Sequence, residues 1–190
     1  MTFLSRCETA RQCRRAVLSN LSFNKGQQMR PRFQTDQDIA NEKSIAERLM
    51  QKWQCQICKI PDHARFDSVM VEQETQKIIA YIEIKQRKFR WGQYPDVMLS
   101  ASKFVAGNEY HQAFRIPVLF VVADKTGEIR VCKLHELQTF DLKMGGRTKN
   151  KRDAQDKEPV VHIANSDFEL VIEGIGTADQ LQQNENDDSF

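Results

Sequence analysis

Apolar residues recur along this chain with two different spacings, and each spacing predicts its own kind of element. From Thr35 to Trp53 they recur every three or four residues, which predicts an amphipathic helix that begins at the capping-box pair Thr35 and Asp38. Residues 95–112 show the same period and predict a second helix. Four short, mostly apolar runs are typical of buried strands: 66–71, 78–85, 116–123 and 128–134. A helical crossover between parallel strands explains this order and predicts an α/β fold with a mixed sheet.

The first two strand-like runs flank the polar residues 73–77, which predict a hairpin turn centred near Thr75. The register then pairs Val71 with Ile79, Val69 with Tyr81 and Asp67 with Glu83. Lys85 shares the face of Glu83 because side chains alternate along a strand. We expect one face to carry Val69, Val71, Ile79 and Tyr81, and the other Phe66, Met70, Ile78, Ala80, Ile82 and Ile84. Two carboxylates and one ammonium should therefore meet at one end of a mostly apolar sheet.

Two carboxylates this close repel each other unless a cation lies between them. Mg²⁺ accepts two acidic ligands and fills the rest of its shell with water and phosphate oxygens, and a nearby lysine can orient or deprotonate the attacking water. This chemistry favours metal-assisted phosphodiester hydrolysis. An ordinary solvated strand end is the alternative, because the pattern acid, any residue, Lys also occurs at Asp141-Leu142-Lys143. That second match runs into Gly145-Gly146 and a basic loop rather than facing another acid.

Glu42 is a candidate third acid. It follows Ile39 by three residues and precedes Ala46 by four, so it falls on the apolar stripe of the first helix, which also contains Leu49, Met50 and Trp53. A carboxylate there either lies at the edge of the stripe or points at a partner in the interior. In the second case Glu42 reaches the same site.

Residues 36–134 place Glu42 on a first helix and Asp67 and Glu83-Ile84-Lys85 on consecutive strands, followed by a helix and a further strand. This arrangement resembles the PD-(D/E)XK superfamily of restriction-endonuclease-like nucleases. The resemblance implies an αβββαβ core and Mg²⁺ or Mn²⁺ as the cofactor. It implies that Glu42, Asp67, Glu83 and the carbonyl of Ile84 bind the metal and that Lys85 positions the water. The literal Pro61-Asp62 is set aside, because Asp62 would face Glu83 only if the turn fell inside the 70–71 strand.

Residues 145–148 and 158–163 resemble the tail of small phage nucleases of this superfamily. We therefore interpret the sequence as that of a metal-dependent nuclease. The alternatives are a catalytically inactive nucleic-acid-binding or assembly protein of the same fold, and an unrelated α/β domain with an accidental acid cluster.

Charge is distributed unevenly along the chain, whose net charge is only +2. Residues 1–35 carry seven basic residues and one acid, and 179–190 carry four acids and no base, so we predict a disordered basic arm, a nuclease-like domain over 36–178 and a disordered acidic tail. The domain is nearly neutral, so nucleic-acid binding must rely on local groups. The candidates are Arg87, Lys88, Arg90 and Tyr94 beyond the second strand, Lys103 on the second helix, and Arg147 and Lys149 in a basic loop over 143–158.

DNA is the expected partner, with RNA and a homodimer left open. Five cysteines without a secreted framework favour a reducing compartment, hence the cytoplasm, that of the host if the protein is phage-encoded. A zinc site built from Cys55, Cys58, Cys132 and His135 is disfavoured because the two halves lie far apart in sequence. No apolar run approaches the ~20 residues that span a membrane.

Overall fold

The computed structural model describes residues 34–61, 64–146 and 157–174. Within them lie two α-helices, α1 (Asp36–Trp53) and α2 (Ala101–Phe114). The strands are β1 (Gln56–Lys59), β2 (Ser68–Val71), β3 (Ile78–Gln86), β4 (Asp96–Ser100), β5 (Val118–Ala123), β6 (Ile129–Lys133), β7 (Asp141–Gly146), β8 (Lys157–Ala164) and β9 (Glu169–Ile172). Single 3₁₀ turns occupy Leu134–Glu136 and Asn165–Asp167.

The main sheet has six strands in the order β1-β2-β3-β5-β6-β9. Only β3 and β5 pair in parallel, and the other neighbours are antiparallel. α1 packs Ile45 and Leu49 on one face of this sheet, and α2 packs Phe104 and Ala106 on the other. The predicted α/β class, a mixed sheet flanked by helices, is confirmed. The helical crossover to β5 is also present, because α2 connects the two parallel strands.

The start of α1 matches the prediction. Thr35 caps the helix through its side chain, and the Asp38 carboxylate accepts the Thr35 backbone N–H in return. The predicted apolar stripe is wrong in part. Ile39 is 49% exposed, whereas Ile45, which the prediction left out, is buried against the sheet. The helix is rotated so that Ile45 and Leu49, four residues apart, form the centre of the packed face.

The β2–β3 hairpin keeps most of the predicted register. Val69 lies opposite Tyr81, and the backbone N–H of Asp67 donates to the Ile82 carbonyl at 3.1 Å. The register is wrong nearer the turn, where an irregularity pairs Val71 with Ile78. Ile79 is consequently exposed, and Ile78 packs against the cluster that contains Val69 and Val71. Phe66, which precedes β2, also packs on that face rather than on the predicted one.

Residues 95–112 do not form one helix. Asp96–Ser100 is strand β4, and α2 begins only at Ala101. β4 pairs with β8 in a second, three-stranded sheet of order β4-β8-β7, so Val97 and Leu99 are buried by strand alternation rather than by a helical face. The basic loop predicted over 143–158 is also too long, because β7 continues to Gly146 and β8 begins at Lys157.

Several predictions concern residues that the structure does not describe. They involve most of the N-terminal arm, Asp62 of Pro61-Asp62, the loop residues Arg147 and Lys149, and the acidic tail, all of which lie outside the described residues. In the parts that the structure describes, no helix is long and apolar enough to cross a membrane.

Candidate active site

Asp67 and Glu83 lie side by side where the β2–β3 hairpin meets the second sheet. Both are buried, at 3% and 1% exposure. The Lys85 ammonium contacts both carboxylates, with its Nζ 2.7 Å from Glu83 Oε1 and 3.6 Å from Asp67 Oδ2. The three side chains therefore share one face of the sheet, as the alternation along β3 and the hairpin register predict.

A second lysine reaches this cluster from α2. Lys103 Nζ lies 2.7 Å from Glu83 Oε2 and also donates to the Arg65 carbonyl. Two ammonium groups thus hold the two oxygens of one buried carboxylate. The sequence predicts that Lys103 contacts nucleic acid; in the structure its ammonium binds the buried Glu83. The two carboxylates and two ammonium groups make the cluster close to electrically neutral.

The electrostatics of the cluster favour its charged forms. Burial alone would raise the pKa of Asp67, but the Lys85 ammonium, the Ile84 backbone N–H and Lys103 hold that pKa below its ordinary value. Burial likewise opposes the charge of Lys85, yet Glu83 and Asp67 raise its pKa. The Asp67 carboxylate and the Lys85 ammonium therefore remain ionised around neutral pH.

Ile84 contributes through its backbone. Its N–H donates to Asp67 Oδ2 at 3.0 Å and fixes the orientation of that carboxylate, while its side chain packs on the opposite face of the sheet with Ile82. The carbonyl of Ile84, which the family resemblance makes a metal ligand, stays a prediction.

Glu42 lies on α1, and its carboxylate is bound by the side chains of Gln34 and Lys59. The charges of Glu42 and Lys59 still act on the cluster, since Glu42 raises the pKa of Lys85 and Lys59 lowers that of Asp67. Across residues 34–61, 64–146 and 157–174, no three His, Cys, Asp or Glu side chains converge closely enough to hold a metal ion. Asp67 and Glu83 are therefore a pair of carboxylates with Glu42 nearby.

Of the two carboxylates, Glu83 lines a cleft of about 530 Å³ between β3 and the second sheet, whereas Asp67 does not. Glu83, Lys85 and Arg87 line one wall. The opposite wall includes Ser100 and Glu158, whose side chains bond to each other at 2.8 Å. The cleft gives the acid cluster access to a ligand from outside.

Some of the residues predicted to contact nucleic acid line the cleft, and others lie outside it. Arg87 lines it and donates to the Met98 carbonyl at 2.7 Å. Lys88, Arg90 and Tyr94 are exposed beyond the end of β3 and do not line the cleft.

The donor set suits a hard divalent cation. Carboxylate oxygens, water and backbone carbonyls are the ligands that Mg²⁺ and Mn²⁺ prefer. Glu83 Oε1 is buried and makes no hydrogen bond of standard geometry; its contact with Lys85 is an ion pair. A cation that enters from the cleft would compete with the Lys85 ammonium for this oxygen.

A family model described as "Phage putative PDDEXK endonuclease" matches residues 28–171. The chain belongs to that family. Among solved structures it is similar to the 1.6 Å structure of Archaeoglobus fulgidus Hjc, a Holliday junction resolvase from an archaeal hyperthermophile. The two share 16% identity over 67% of this chain and 88% of that one, with a TM-score of 0.43. No curated protein matches the chain. The predicted resemblance to the PD-(D/E)XK superfamily is confirmed by the family match.

For this PDDEXK-family chain, sequence reasoning missed three contacts around the cluster: Lys103 on Glu83, Lys59 on Glu42, and Ser100 on Glu158. Each joins residues from 17 to 58 positions apart, so no local spacing could reveal it. Of the cysteines in the disfavoured zinc site, Cys55 packs on one face of the main sheet, and Cys58 and Cys132 pack on the other.

Proposed function

We propose that this protein is a metal-dependent nuclease that hydrolyses phosphodiester bonds of DNA. The observation that supports the proposal best is the buried pair Asp67 and Glu83 with Lys85 between them, since Glu83 and Lys85 line a cleft. Membership of a PDDEXK endonuclease family supports the reaction class. Phage encoding would place the activity in the host cytoplasm.

In this proposal Asp67, Glu83 and the carbonyl of Ile84 hold Mg²⁺ or Mn²⁺. Glu42 is the third acidic residue, held beside the site by Lys59. A bound divalent cation would polarise the phosphate and stabilise the charge that develops on it. The Ile84 N–H keeps Asp67 oriented for that role through its bond to Oδ2.

Lys85 is proposed to position the attacking water. Its ammonium already lies between the two carboxylates and at the wall of the cleft, so a water there would be held by a donor next to the phosphate. Lys103 acts through Glu83, whose second oxygen it fixes. Lys103 also lines the cleft, so the proposal has it position Glu83 beside the bound DNA.

DNA is the proposed substrate, bound through local charge. Arg87 lies on the cleft wall next to Lys85, and Lys88, Arg90 and Tyr94 extend the basic and aromatic surface beyond it. Arg147 and Lys149 complete the proposed contacts.

The proposal is tested with labelled duplex, branched and single-stranded DNA and with RNA, each incubated with Mg²⁺, Mn²⁺ or EDTA. We expect cleavage of at least one DNA substrate with either cation, none in EDTA, and none by Asp67→Asn or Glu83→Gln. Glu136→Gln is the matched control, because Glu136 pairs with Lys133 at 3.1 Å on the exposed surface. Cleavage that persists in EDTA or in Glu83→Gln would contradict the proposal, and cleavage confined to RNA would contradict its choice of substrate.

The neutral charge balance of the cluster favours a second candidate, an inactive nucleic-acid-binding protein of the same fold. Lys85 and Lys103 already compensate the two buried carboxylates without a metal. This candidate predicts DNA binding without cleavage under every cation, and binding that Glu83→Gln leaves unchanged.

A further inference from the structure

Strand β7 is an edge strand with unusual exposure. Within the described residues it ends the sheet order β4-β8-β7, so only its β8 side is paired. All six of its residues are exposed or half-buried, and Leu142 and Met144 are 61% and 69% exposed. An edge with free backbone groups and apolar side chains is a template for another strand, and proteins usually protect such edges.

The apolar side chains of this edge share one face. Leu142 lies opposite Val161, and Met144 lies opposite Pro159, so both belong to the core-facing side of the small sheet. Phe140, which precedes β7, is 45% exposed although its ring packs on Phe104 of α2. The row Phe140, Leu142, Met144 thus continues the apolar face of the sheet to its open edge.

The charged side chains occupy the other face, and their order is self-complementary. Asp141 and Lys143 flank Leu142 and form an exposed ion pair with each other at 2.9 Å. If two copies of β7 pair antiparallel about Leu142, each Asp141 lies opposite Lys143 of the second copy, and each Phe140 lies opposite Met144. Leu142 meets its own counterpart at the centre.

We propose that this protein forms a two-fold symmetric homodimer by antiparallel pairing of β7 with β7 of a second copy. The pairing gives hydrogen-bond partners to the backbone groups on the edge of β7 that β8 leaves unpaired. It places two pairs of opposite charges on one face and three apolar pairs on the other. A symmetric interface requires this kind of self-complementary patch.

The dimer has a consequence for the cleft. Val160, which lines it, is directly opposite Lys143 in the β7–β8 pair, so the charged face of β7 is also the cleft-lining face of the small sheet. Antiparallel pairing keeps equivalent faces on the same side. The two clefts would therefore open on the same side of one continuous sheet.

Sedimentation velocity of the full chain, from about 1 μM to about 1 mM with a reducing agent present, tests the dimer. A single strand pair buries less than the ~1,200 Å² of a standard interface, so we expect a dimer that dissociates on dilution. Leu142→Arg and Lys143→Asp should each weaken it at least about tenfold, through a buried charge and through two like-charge pairs. Lys77→Asp, in the exposed β2–β3 turn, is the matched control and should leave it intact.

Mixing two single variants tests the register itself. Lys143→Asp and Asp141→Lys should each fail to self-associate, because each places like charges opposite each other. Mixed in equal amounts they should form a heterodimer, since every opposed pair is then of opposite sign. Circular dichroism and thermal melts confirm that each variant is folded. A wild type that is monomeric at every concentration, a dimer that resists both Leu142→Arg and Lys143→Asp, or no heterodimer from the mixture would each overturn the proposal.

Discussion

Glu83-Ile84-Lys85 and Asp141-Leu142-Lys143 have the same local pattern, an acid and a lysine on one face of a strand, and nearly the same ion-pair distance, 2.7 and 2.9 Å. Their surroundings differ. The Glu83 side chain is 1% exposed and meets Asp67 and Lys103, whereas the Asp141 side chain is 70% exposed on an edge strand. Burial and converging partners from other elements, rather than the tripeptide, distinguish a candidate reaction site from a surface that is free to meet a second molecule.

The largest expected effect is a loss of DNA cleavage when the lysine of the buried tripeptide is replaced. Lys85→Met should lower the rate of Mg²⁺-dependent DNA cleavage about 100-fold or more, the size associated with loss of a positioned proton-transfer or water-orienting group. It should leave the proposed dimer intact, because the Lys85 ammonium pairs with Asp67 and Glu83 and not with the charged residues of β7. Single-turnover cleavage and sedimentation velocity measure the two properties.

Lys133→Met is the control for this substitution, since Lys133 is an exposed lysine paired with Glu136. Equal rates for Lys85→Met and Lys133→Met would remove Lys85 from the mechanism.

A smaller effect tests whether the partners of Glu83 stabilise the fold. Lys103→Met leaves one oxygen of a buried carboxylate without its cation, so it should lower the free energy of unfolding by about 2 kcal/mol. Urea unfolding in EDTA measures this loss. Lys103→Arg should recover part of the stability, and Lys133→Met should show no change. A stability of Lys103→Met equal to that of the wild type would mean that Lys85 alone compensates Glu83.

The pH dependence of stability offers a further test of the buried site. The pKa of Asp67 is lowered in the folded protein, so its stabilising contribution is present above its unfolded pKa of about 4 and is lost as the pH falls through the lower folded value. In EDTA the free energy of unfolding of the wild type should therefore decrease below about pH 4, and that of Asp67→Asn should decrease less steeply. Parallel curves for the two proteins would contradict the lowered pKa.

The smallest expected effect concerns the basic residue that extends the face of the buried tripeptide. Arg87→Ala should weaken DNA binding and reduce the slope of log affinity against log salt by about 0.9, one phosphate contact on duplex DNA. Lys88→Ala should change the slope less, because Lys88 does not line the cleft. Fluorescence anisotropy with Ca²⁺ in place of Mg²⁺ measures both slopes, and a larger effect of Lys88→Ala would place the binding surface outside the cleft.

The sequence predicted local features of the fold better than distant ones. The hairpin turn fixed the opposition of Val69 and Tyr81, because a short polar segment leaves few registers. It could not show that Gln76 adopts a left-handed conformation, with φ of 56°, next to the irregularity that moves Ile78 opposite Val71. The apolar spacing of 95–112 fits a helix. Asp96–Ser100 is nevertheless a strand, because it pairs with residues of β8 that lie 60 to 68 positions later.

The same limit applies to the candidate site. Asp67, Glu83 and Lys85 belong to one hairpin, so their shared face follows from alternation and register. Lys103 reaches Glu83 only because the crossover helix α2 returns over the sheet. The pairing of Glu42 with Lys59 depends on how α1 lies against β1. Such contacts are set by packing between elements, which periodicity within one element does not reveal.

The most direct test of the central claim is a calorimetric titration of Mn²⁺ into the wild type, Glu83→Gln and Glu136→Gln. If the buried carboxylate pair holds the cation, the wild type and Glu136→Gln should bind Mn²⁺ with the same affinity, and Glu83→Gln should lose that binding event. Equal Mn²⁺ binding by all three proteins, or none by the wild type, would contradict the claim that Asp67 and Glu83 form the metal site.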